Sequence, residues 1–249
     1  SKPYTYILGG EYMNKHIAIV LAGGRGSRMN SDIPKQYMVV KGYPVLYYAL
    51  KTFEDSFMDE IILVTGKEEV EYCRKEIVDR YGIHKVHAIV PGGKERYDSV
   101  FAGLQQIAEM NKGQFQDIYV YIHDGARACI NAEILNSCRS DVEMYQACVA
   151  AVPVKDTIKI VDQNGFAVST PSRDTLWQGQ TPQSFRFDIV YEAYRKMMQA
   201  NEQLSITDDA MVVEHYANIP VKMTKSAYTN IKITTQDDIM LVEQIIKTQ

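Results

Sequence analysis

The sequence predicts an α/β fold with a doubly wound, mostly parallel sheet. Short apolar runs of strand length alternate with amphipathic helical patterns, and the connections between them are short. The first run, "IAIVL" at 17–21, is rich in β-branched residues and ends in glycines, as buried parallel strands do. Because strand–helix–strand units form right-handed crossovers, this alternation places helices on both faces of one sheet.

The other elements keep this alternation as far as residue 154. Apolar runs predict strands at 60–66, 85–93, 117–127 and 147–154. Periodic apolar faces predict helices at 44–53, 68–81, 98–110 and 133–145. Asp98 or Ser99 is the expected N-cap of the third helix, since short polar side chains accept hydrogen bonds from the first turn.

The alternation breaks between residues 155 and 185. Two short alternating segments flank Asn164 and Gly165, the preferred pair for a type I′ hairpin turn. A hairpin of this size is not a domain, so we expect this arm to pack on something, such as a second subunit. The pattern then predicts a helix at 187–198, a helix capped by Thr207 or Asp208, and two strands with a closing helix within 219–246.

Length and composition suit one ordinary globular domain. The chain has 249 residues, of which 46% are apolar and 23% charged. We interpret 13–249 as a single domain. Residues 1–12, which precede Met13, are interpreted as an N-terminal extension.

Charge and cysteine usage narrow the possible partners and the compartment. The net charge of −4 gives no global basic field for nucleic acid. No apolar run approaches the roughly 20 residues of a membrane span, so we expect no membrane association. The 4 cysteines are scattered without a C-x-x-C pair, which favours a reduced, cytoplasmic protein.

The segment "LAGGRGSRMNSDIPKQ" predicts a phosphate-binding loop after the first strand. It lacks the Gly-Lys-Ser/Thr of a P-loop, and Met29 replaces the third glycine of a dinucleotide fingerprint. Arg28 offers a fork of donors suited to phosphate oxygens, and Lys35 adds a second cation. Glycines let backbone N–H groups approach a bound anion closely, here Gly23, Gly24 and Gly26.

Two later loops should meet this one, because ligands of parallel sheets bind at the carboxyl ends of the strands. They are 92–96 and 124–127. Asp124 ends its strand and is either a Mg²⁺ ligand or the cap of the following turn. His123 faces the other way and is interpreted as a packing residue. The sequence has no H-E-x-x-H, G-x-S-x-G or Cys/His cluster, so zinc and serine hydrolysis lack support.

Several motifs in order resemble the 2-C-methyl-D-erythritol 4-phosphate cytidylyltransferase family. They are "AIVLAGGRGSRM", "GGKERYDSVFAGL", "IHDGARA", "VPVKDTIK", "RDTLWQGQTPQSF", "ITDDAMVVE" and "NIKITTQDDIMLVE". Ribitol-5-phosphate (pentitol) cytidylyltransferases share the loop and "QTPQ", so CDP-ribitol synthesis for a cell-wall polymer stays open as the alternative. Ala128 departs from the proline that is usual in the family.

The resemblance implies a Rossmann-like nucleotidyltransferase fold and a magnesium-dependent homodimer. The reaction would join CMP from CTP to a polyol phosphate and release pyrophosphate, in isoprenoid synthesis that avoids mevalonate. The hairpin arm, at about 155–178, would hook two subunits together. A catalytically silent nucleotide-binding regulator on the same fold is a rival that pyrophosphate release would exclude.

The resemblance also assigns roles to individual residues. Those expected to stabilise charge at the α-phosphate are Arg28, Lys35 and Lys232. Those expected to contact the nucleotide are Ala22, Gly23, Gly24, Gly26, Gly93, Lys94, Ser99 and Gly125. Asp124 is the expected metal ligand. The acceptor pocket would contain Thr157, Arg173, Thr181 and Thr207, with Thr157 and Arg173 contributed by the neighbouring subunit.

Overall fold

The protein has one main sheet with helices on both faces. The structure is a computed structural model, and it describes residues 14–23, 33–202 and 204–247. The strands, in chain order, are β1 (Lys15–Ala22), β2 (Val39–Val40), β3 (Tyr43–Pro44), β4 (Glu60–Thr65), β5 (Val86–Pro91), β6 (Ile118–Asp124), β7 (Ala147–Pro153), β8 (Ile160–Val161), β9 (Ala167–Ser169), β10 (Trp177–Arg186) and β11 (Lys222–Lys225). The helices are α1 (Val45–Glu54), α2 (Val70–Cys73), α3 (Arg96–Met110), α4 (Ala132–Tyr145), α5 (Phe187–Gln199), α6 (Asp209–Tyr216) and α7 (Gln236–Lys247).

Within the described ranges the main sheet has seven strands, in the order β11-β7-β10-β6-β1-β4-β5. Every neighbouring pair is parallel except the two that involve β10, which runs antiparallel to β6 and β7. The central strand β1 therefore ends at the same edge as β4, β5 and β6. The predicted doubly wound, mostly parallel fold class is confirmed.

Alternate residues of β1 pack in two separate hydrophobic cores. Ala18 and Val20 pack in the cluster covered by α1, α2 and α4, whereas Ile17 and Ile19 pack in the cluster covered by α3, α5 and α6. All four are buried because both faces of the strand are covered. In α3, a Cβ on Gly103 would lie 3.0 Å from Ile19, so glycine lets this helix lie close to the sheet.

Strand β10 was not predicted, although it lies inside the sheet between β7 and β6. Its sequence, "WQGQTPQSFR", is polar and contains proline, which argues against a central strand in a sequence pattern. The register against β7 shifts between Gly179 and Gln183, and Pro182 lies within this irregular stretch. The irregularity accommodates a residue that cannot donate a ladder hydrogen bond.

Two predicted helices differ from the observed ones in detail. Helix α3 begins at Arg96, so neither Asp98 nor Ser99 is its N-cap; Glu95 is, and it forms a capping box with Asp98. The predicted helix at 68–81 is a succession of 3-10, α and π turns over 67–79. Asp208 caps α6 by accepting a hydrogen bond from the backbone of Met211, as one of the two alternatives predicted.

The arm is a short hairpin, but its turn is not type I′. That turn requires a positive φ at both central residues, and only Gly165 has one, at 84°. Instead, the Asp162 carboxylate accepts hydrogen bonds from the backbone N–H groups of Asn164 and Phe166. An Asx-type turn thus replaces the predicted one.

The C-terminal region has one of the two strands predicted within 219–246. The closing helix α7 is present, but residues 230–233 form no strand. Their backbone is hydrogen-bonded to the loop after β6. Ile233 N–H donates to the Ala126 carbonyl, and the Asn230 carbonyl accepts from Arg127 Nη1. None of the helices in the described ranges combines the length and apolar character that a membrane crossing requires.

Candidate active site

A cavity of about 210 Å³ opens where β1, β5 and β6 end. Its lining comes from the end of β1, the short turn that begins at Lys35, the loop between β5 and α3, the end of β6 and the segment before α7. Of the three loops that the sequence places together, 92–96 and 124–127 meet here, and Gly23 is the described residue of the first loop that lines the cavity. The lining residues are Leu21, Ala22, Gly23, Lys35, Gln36, Gly93, Lys94, Glu95, Arg96, Ser99, Asp124, Ala126 and Lys232.

Asp124 lies at the end of β6 and is shared by two cations. Arg96 Nε lies 3.1 Å from Asp124 Oδ1, and Lys232 Nζ lies 3.1 Å from Oδ2. Burial would raise the pKa of this carboxyl, but the charges of Arg96, Lys232 and Arg127 outweigh burial and hold its pKa well below the usual range. Asp124 is therefore ionised throughout the neutral range.

Arg96 connects Asp124 to helix α6 and was not selected from the sequence. Its two terminal nitrogens each lie 3.0 Å from a carboxylate oxygen of Asp209, which is fully buried and also accepts from the Tyr194 hydroxyl. Burial opposes the charge of Arg96, yet the Asp209 and Asp124 carboxylates raise its pKa well above the usual value. The only signal in the sequence was its position in a loop at the carboxyl edge.

The turn carrying Lys35 is attached to the end of β1. The Gln36 side chain donates a hydrogen bond of 2.7 Å to the carbonyl of Ala22, and Gln36 is buried. This bond places Lys35 at the cavity wall beside Ala22 and Gly23. Gly24, Gly26 and Arg28, to which the sequence assigned nucleotide binding and catalysis, lie outside the described residues.

Glycines allow two close contacts at the cavity, one between the β5–α3 loop and α3 and one between the turn after β6 and β1. A Cβ on Gly92 would lie 2.4 Å from Ser99 Oγ, and one on Gly125 would lie 2.8 Å from the Leu21 carbonyl oxygen. Gly93 N–H donates to Ser99 Oγ at 3.2 Å, and Gly125 N–H donates to the Leu21 carbonyl at 2.8 Å. A larger residue at Gly125 would press on the backbone of Leu21 and push this turn away from β1.

A second cavity, of about 300 Å³, shares Arg96, Asp124 and Lys232 with the first. Thr181 and Thr207 also line it, so two of the predicted acceptor residues are beside Asp124. Arg127 lines it as well, and its Nη1 donates to the Asn230 carbonyl at 2.8 Å. The sequence analysis did not single out Arg127 for a role.

Thr157 and Arg173 lie on the exposed arm and outside both cavities. Arg173 Nη1 donates a 2.7 Å hydrogen bond to the carbonyl of Lys155 at the base of the arm. The chain does not bring these two residues to its own Asp124. Their expected contribution to a neighbouring subunit stays a prediction.

The comparison with known proteins identifies the family. The family model for 2-C-methyl-D-erythritol 4-phosphate cytidylyltransferase (IspD) matches residues 16–248. The chain belongs to this family.

Individual relatives align with nearly the whole chain. A 2-C-methyl-D-erythritol 4-phosphate cytidylyltransferase of Lachnospira eligens is 55% identical over 231 residues, covering 92% of this chain and 98% of that protein. One from Lachnoclostridium phytofermentans is 44% identical over 235 residues, or 94% and 97% of the two chains. The crystal structure of 4-diphosphocytidyl-2C-methyl-D-erythritol synthase from Anaerococcus prevotii is 31% identical, covers 94% and 96%, and superposes with a TM-score of 0.77.

Membership in the 2-C-methyl-D-erythritol 4-phosphate cytidylyltransferase family makes the protein an enzyme and a nucleotidyltransferase. It confirms the resemblance inferred from the motifs and the fold class that the resemblance implied. The pentitol alternative is not favoured, because the relatives compared above are methylerythritol enzymes.

Proposed function

We propose that the protein transfers CMP from CTP to 2-C-methyl-D-erythritol 4-phosphate, giving CDP-methylerythritol and pyrophosphate for isoprenoid precursor synthesis. The observation that supports this most strongly is the pair of cavities that share Arg96, Asp124 and Lys232. One cavity has Gly23 and Gly93 in its wall, where a nucleotide could approach the backbone closely. The other has Thr181, Thr207 and Arg127, which suit a polyol phosphate.

The chemistry is an in-line displacement at the α-phosphorus of CTP. An oxygen of the acceptor phosphate forms the new P–O bond while the bond to pyrophosphate breaks, and pyrophosphate carries the electron pair away. A phosphate at neutral pH is already a nucleophile, so the reaction needs no general base. The barrier is the approach of two anions, which positioned cations lower.

The cations at the junction of the cavities would perform this task. Lys232 lies beside Asp124 at 3.1 Å, and Lys35 lines the nucleotide side. We assign both to stabilisation of charge at the α-phosphate, together with Arg28. Gly93, Lys94, Ser99 and Gly125 would hold the cytidine, with Ala22, Gly23, Gly24 and Gly26 around the phosphates.

The donor set at Asp124 fits Mg²⁺, which takes one or two carboxylates and completes its shell with phosphates and water. Among the described residues no group of three or more potential ligands surrounds it, so the substrate would supply the rest. Bound Mg²⁺ would neutralise triphosphate charge. Asp124 would bind the ion through one carboxylate oxygen, which Arg96 or Lys232 would first have to release.

We also propose a cytoplasmic homodimer. The four cysteines are unpaired and buried, which suits a reducing compartment. The arm carries exposed apolar side chains that a second subunit would cover: Ile160, Val161, Phe166 and Val168. Thr157 and Arg173 on that arm would then complete the acceptor pocket of the partner.

Pyrophosphate release with CTP and methylerythritol phosphate, combined with mass analysis of the nucleotide product, tests the activity. We expect release only when both substrates and Mg²⁺ are present, and a product with the mass of CDP-methylerythritol. Release from CTP alone would indicate a hydrolase. No release with the acceptor present would favour the silent regulator.

A further inference from the structure

A buried chain of hydrogen bonds runs behind the acceptor cavity. Asp124 N–H donates to Thr181 Oγ1 at 3.0 Å, Thr181 Oγ1 lies 2.9 Å from His123 Nδ1, and His123 Nε2 lies 3.1 Å from the Arg127 carbonyl oxygen. His123 is fully buried and Thr181 is 3% exposed. The chain joins β10 to both ends of the 124–127 turn, which carries Asp124 and Arg127.

The carbonyl oxygen at the end of this chain fixes one of its protons. A carbonyl oxygen can only accept, so His123 Nε2 carries a proton. The other ring nitrogen, Nδ1, is hydrogen-bonded to the Thr181 hydroxyl, which also accepts from Asp124 N–H.

We propose that His123 is a positioning residue for the transfer reaction, acting through Thr181 to hold Asp124 and Arg127 at the acceptor cavity. This rests on the proposed function. The Thr181 hydroxyl is engaged by Asp124 N–H and His123 Nδ1, so Thr181 contributes to the pocket by bracing the turn. Direct donation to the phosphate falls to Arg127 and Lys232, which line the same cavity.

The test compares H123F, T181V and the double variant with the unmodified enzyme. Phenylalanine keeps a ring beside Phe53, whose centroid lies 5.3 Å from that of His123, but removes both nitrogen atoms. We expect each single variant to lower kcat by roughly ten- to a hundredfold with a smaller change in KM for CTP, since displacement of catalytic groups by about 1 Å can cost a hundredfold. T181S should restore most of the turnover that T181V loses.

The double variant separates positioning from simple destabilisation. If both residues act through one hydrogen-bonded chain, the double variant should be no slower than the slower single variant. Multiplied losses, or a normal kcat in H123F, would overturn the proposal. H215F, which changes an exposed histidine, is the matched control and should keep its turnover.

A second measurement needs no turnover. A two-bond proton–nitrogen correlation spectrum of the full-length enzyme at neutral pH should show a histidine protonated at Nε2, with H123F identifying its signals. If H123F does not fold, perturbation of these signals in T181S identifies them instead. An Nε2 without a proton would contradict the proposal, whereas absence of pyrophosphate release by the unmodified enzyme would contradict the proposed function.

Discussion

The buried carboxylate of Asp124 forms ion pairs with both cations that the two cavities share. It is held between Arg96 and Lys232, and Arg96 in turn is held by Asp209. Arg96 and Lys232 thus each have a fixed carboxylate partner. Fixed charges need little reorganisation during the reaction, which is why they lower barriers effectively.

Replacing Lys35 with alanine tests the catalytic role of a single cation. We expect kcat to fall by about a hundredfold, because a lost charge contact in the transition state has this scale, while KM for CTP changes much less. Steady-state kinetics with pyrophosphate detection measures both values. K196A removes an exposed lysine on α5 and should behave as the unmodified enzyme; near-normal kcat with a raised KM in K35A would argue against transition-state stabilisation.

Asp209→Asn tests the buried pair behind the site. Its removal leaves the charge of Arg96 short of one partner and disturbs the Tyr194 hydroxyl, so we expect the free energy of unfolding to fall by about 3 kcal/mol. Denaturant unfolding measures this loss. E76Q breaks an exposed i,i+4 pair with Arg80 and should cost less than about 0.5 kcal/mol. An equal loss of unfolding free energy in both variants would contradict the greater importance of the buried pair.

At the scale of elements, the opposite end of β1 has its own buried histidine. His16 lies among Phe57, Tyr119 and Tyr121, and its Nε2 lies 3.2 Å from Glu143 Oε1. Burial, followed by the charge of Arg139, lowers the pKa of His16 below its ordinary value of 6.5. The unfolded chain therefore binds this proton more readily than the folded one.

The sign of the resulting pH dependence follows directly. Stability from unprotonated His16 is present above pH 6.5 and is lost as the pH falls towards the folded pKa. We expect H16Q to lose less unfolding free energy between pH 7 and 5 than the unmodified protein, by up to about 1.4 kcal/mol per pH unit. H215Q, at an exposed site, serves as the control; parallel curves for H16Q and the unmodified protein would be the contrary result.

The sequence predicted the elements whose patterns arise locally. The apolar runs of β1 and β4 and the amphipathic faces of α1 and α4 reflect their own burial, so their periodicity identified them. Strand β10 owes its position to pairing with β6 and β7, and its polar residues gave no such pattern.

The residues of the site also divide into those that the sequence could identify and those that it could not. Gly93 and Asp124 lie at strand ends, where topology alone brings loops together. Arg96 and His123 gain their partners from α6 and β10, which are distant in sequence. No local spacing could identify them, because those contacts exist only in the folded chain.

At the scale of the whole molecule, the exposed arm predicts that two copies of the chain form a dimer. Phe166 and Val168 are 71% and 62% exposed, which is unusual for large apolar residues on a two-stranded hairpin. We expect F166E/V168E to convert a dimer into a monomer and to lose acceptor turnover, since Thr157 and Arg173 would leave the partner's pocket. Light scattering with gel filtration gives the mass.

The control for this experiment is M144E, which places the same charge at an exposed methionine on α4. It should remain dimeric and active. A monomeric unmodified enzyme with full activity would refute the role of the arm.

The acceptor preference tests the central claim most directly. Pyrophosphate release is measured at saturating CTP and Mg²⁺ with varied 2-C-methyl-D-erythritol 4-phosphate or ribitol 5-phosphate. The account predicts a higher kcat/KM for the methylerythritol substrate. A higher kcat/KM for ribitol 5-phosphate would contradict it.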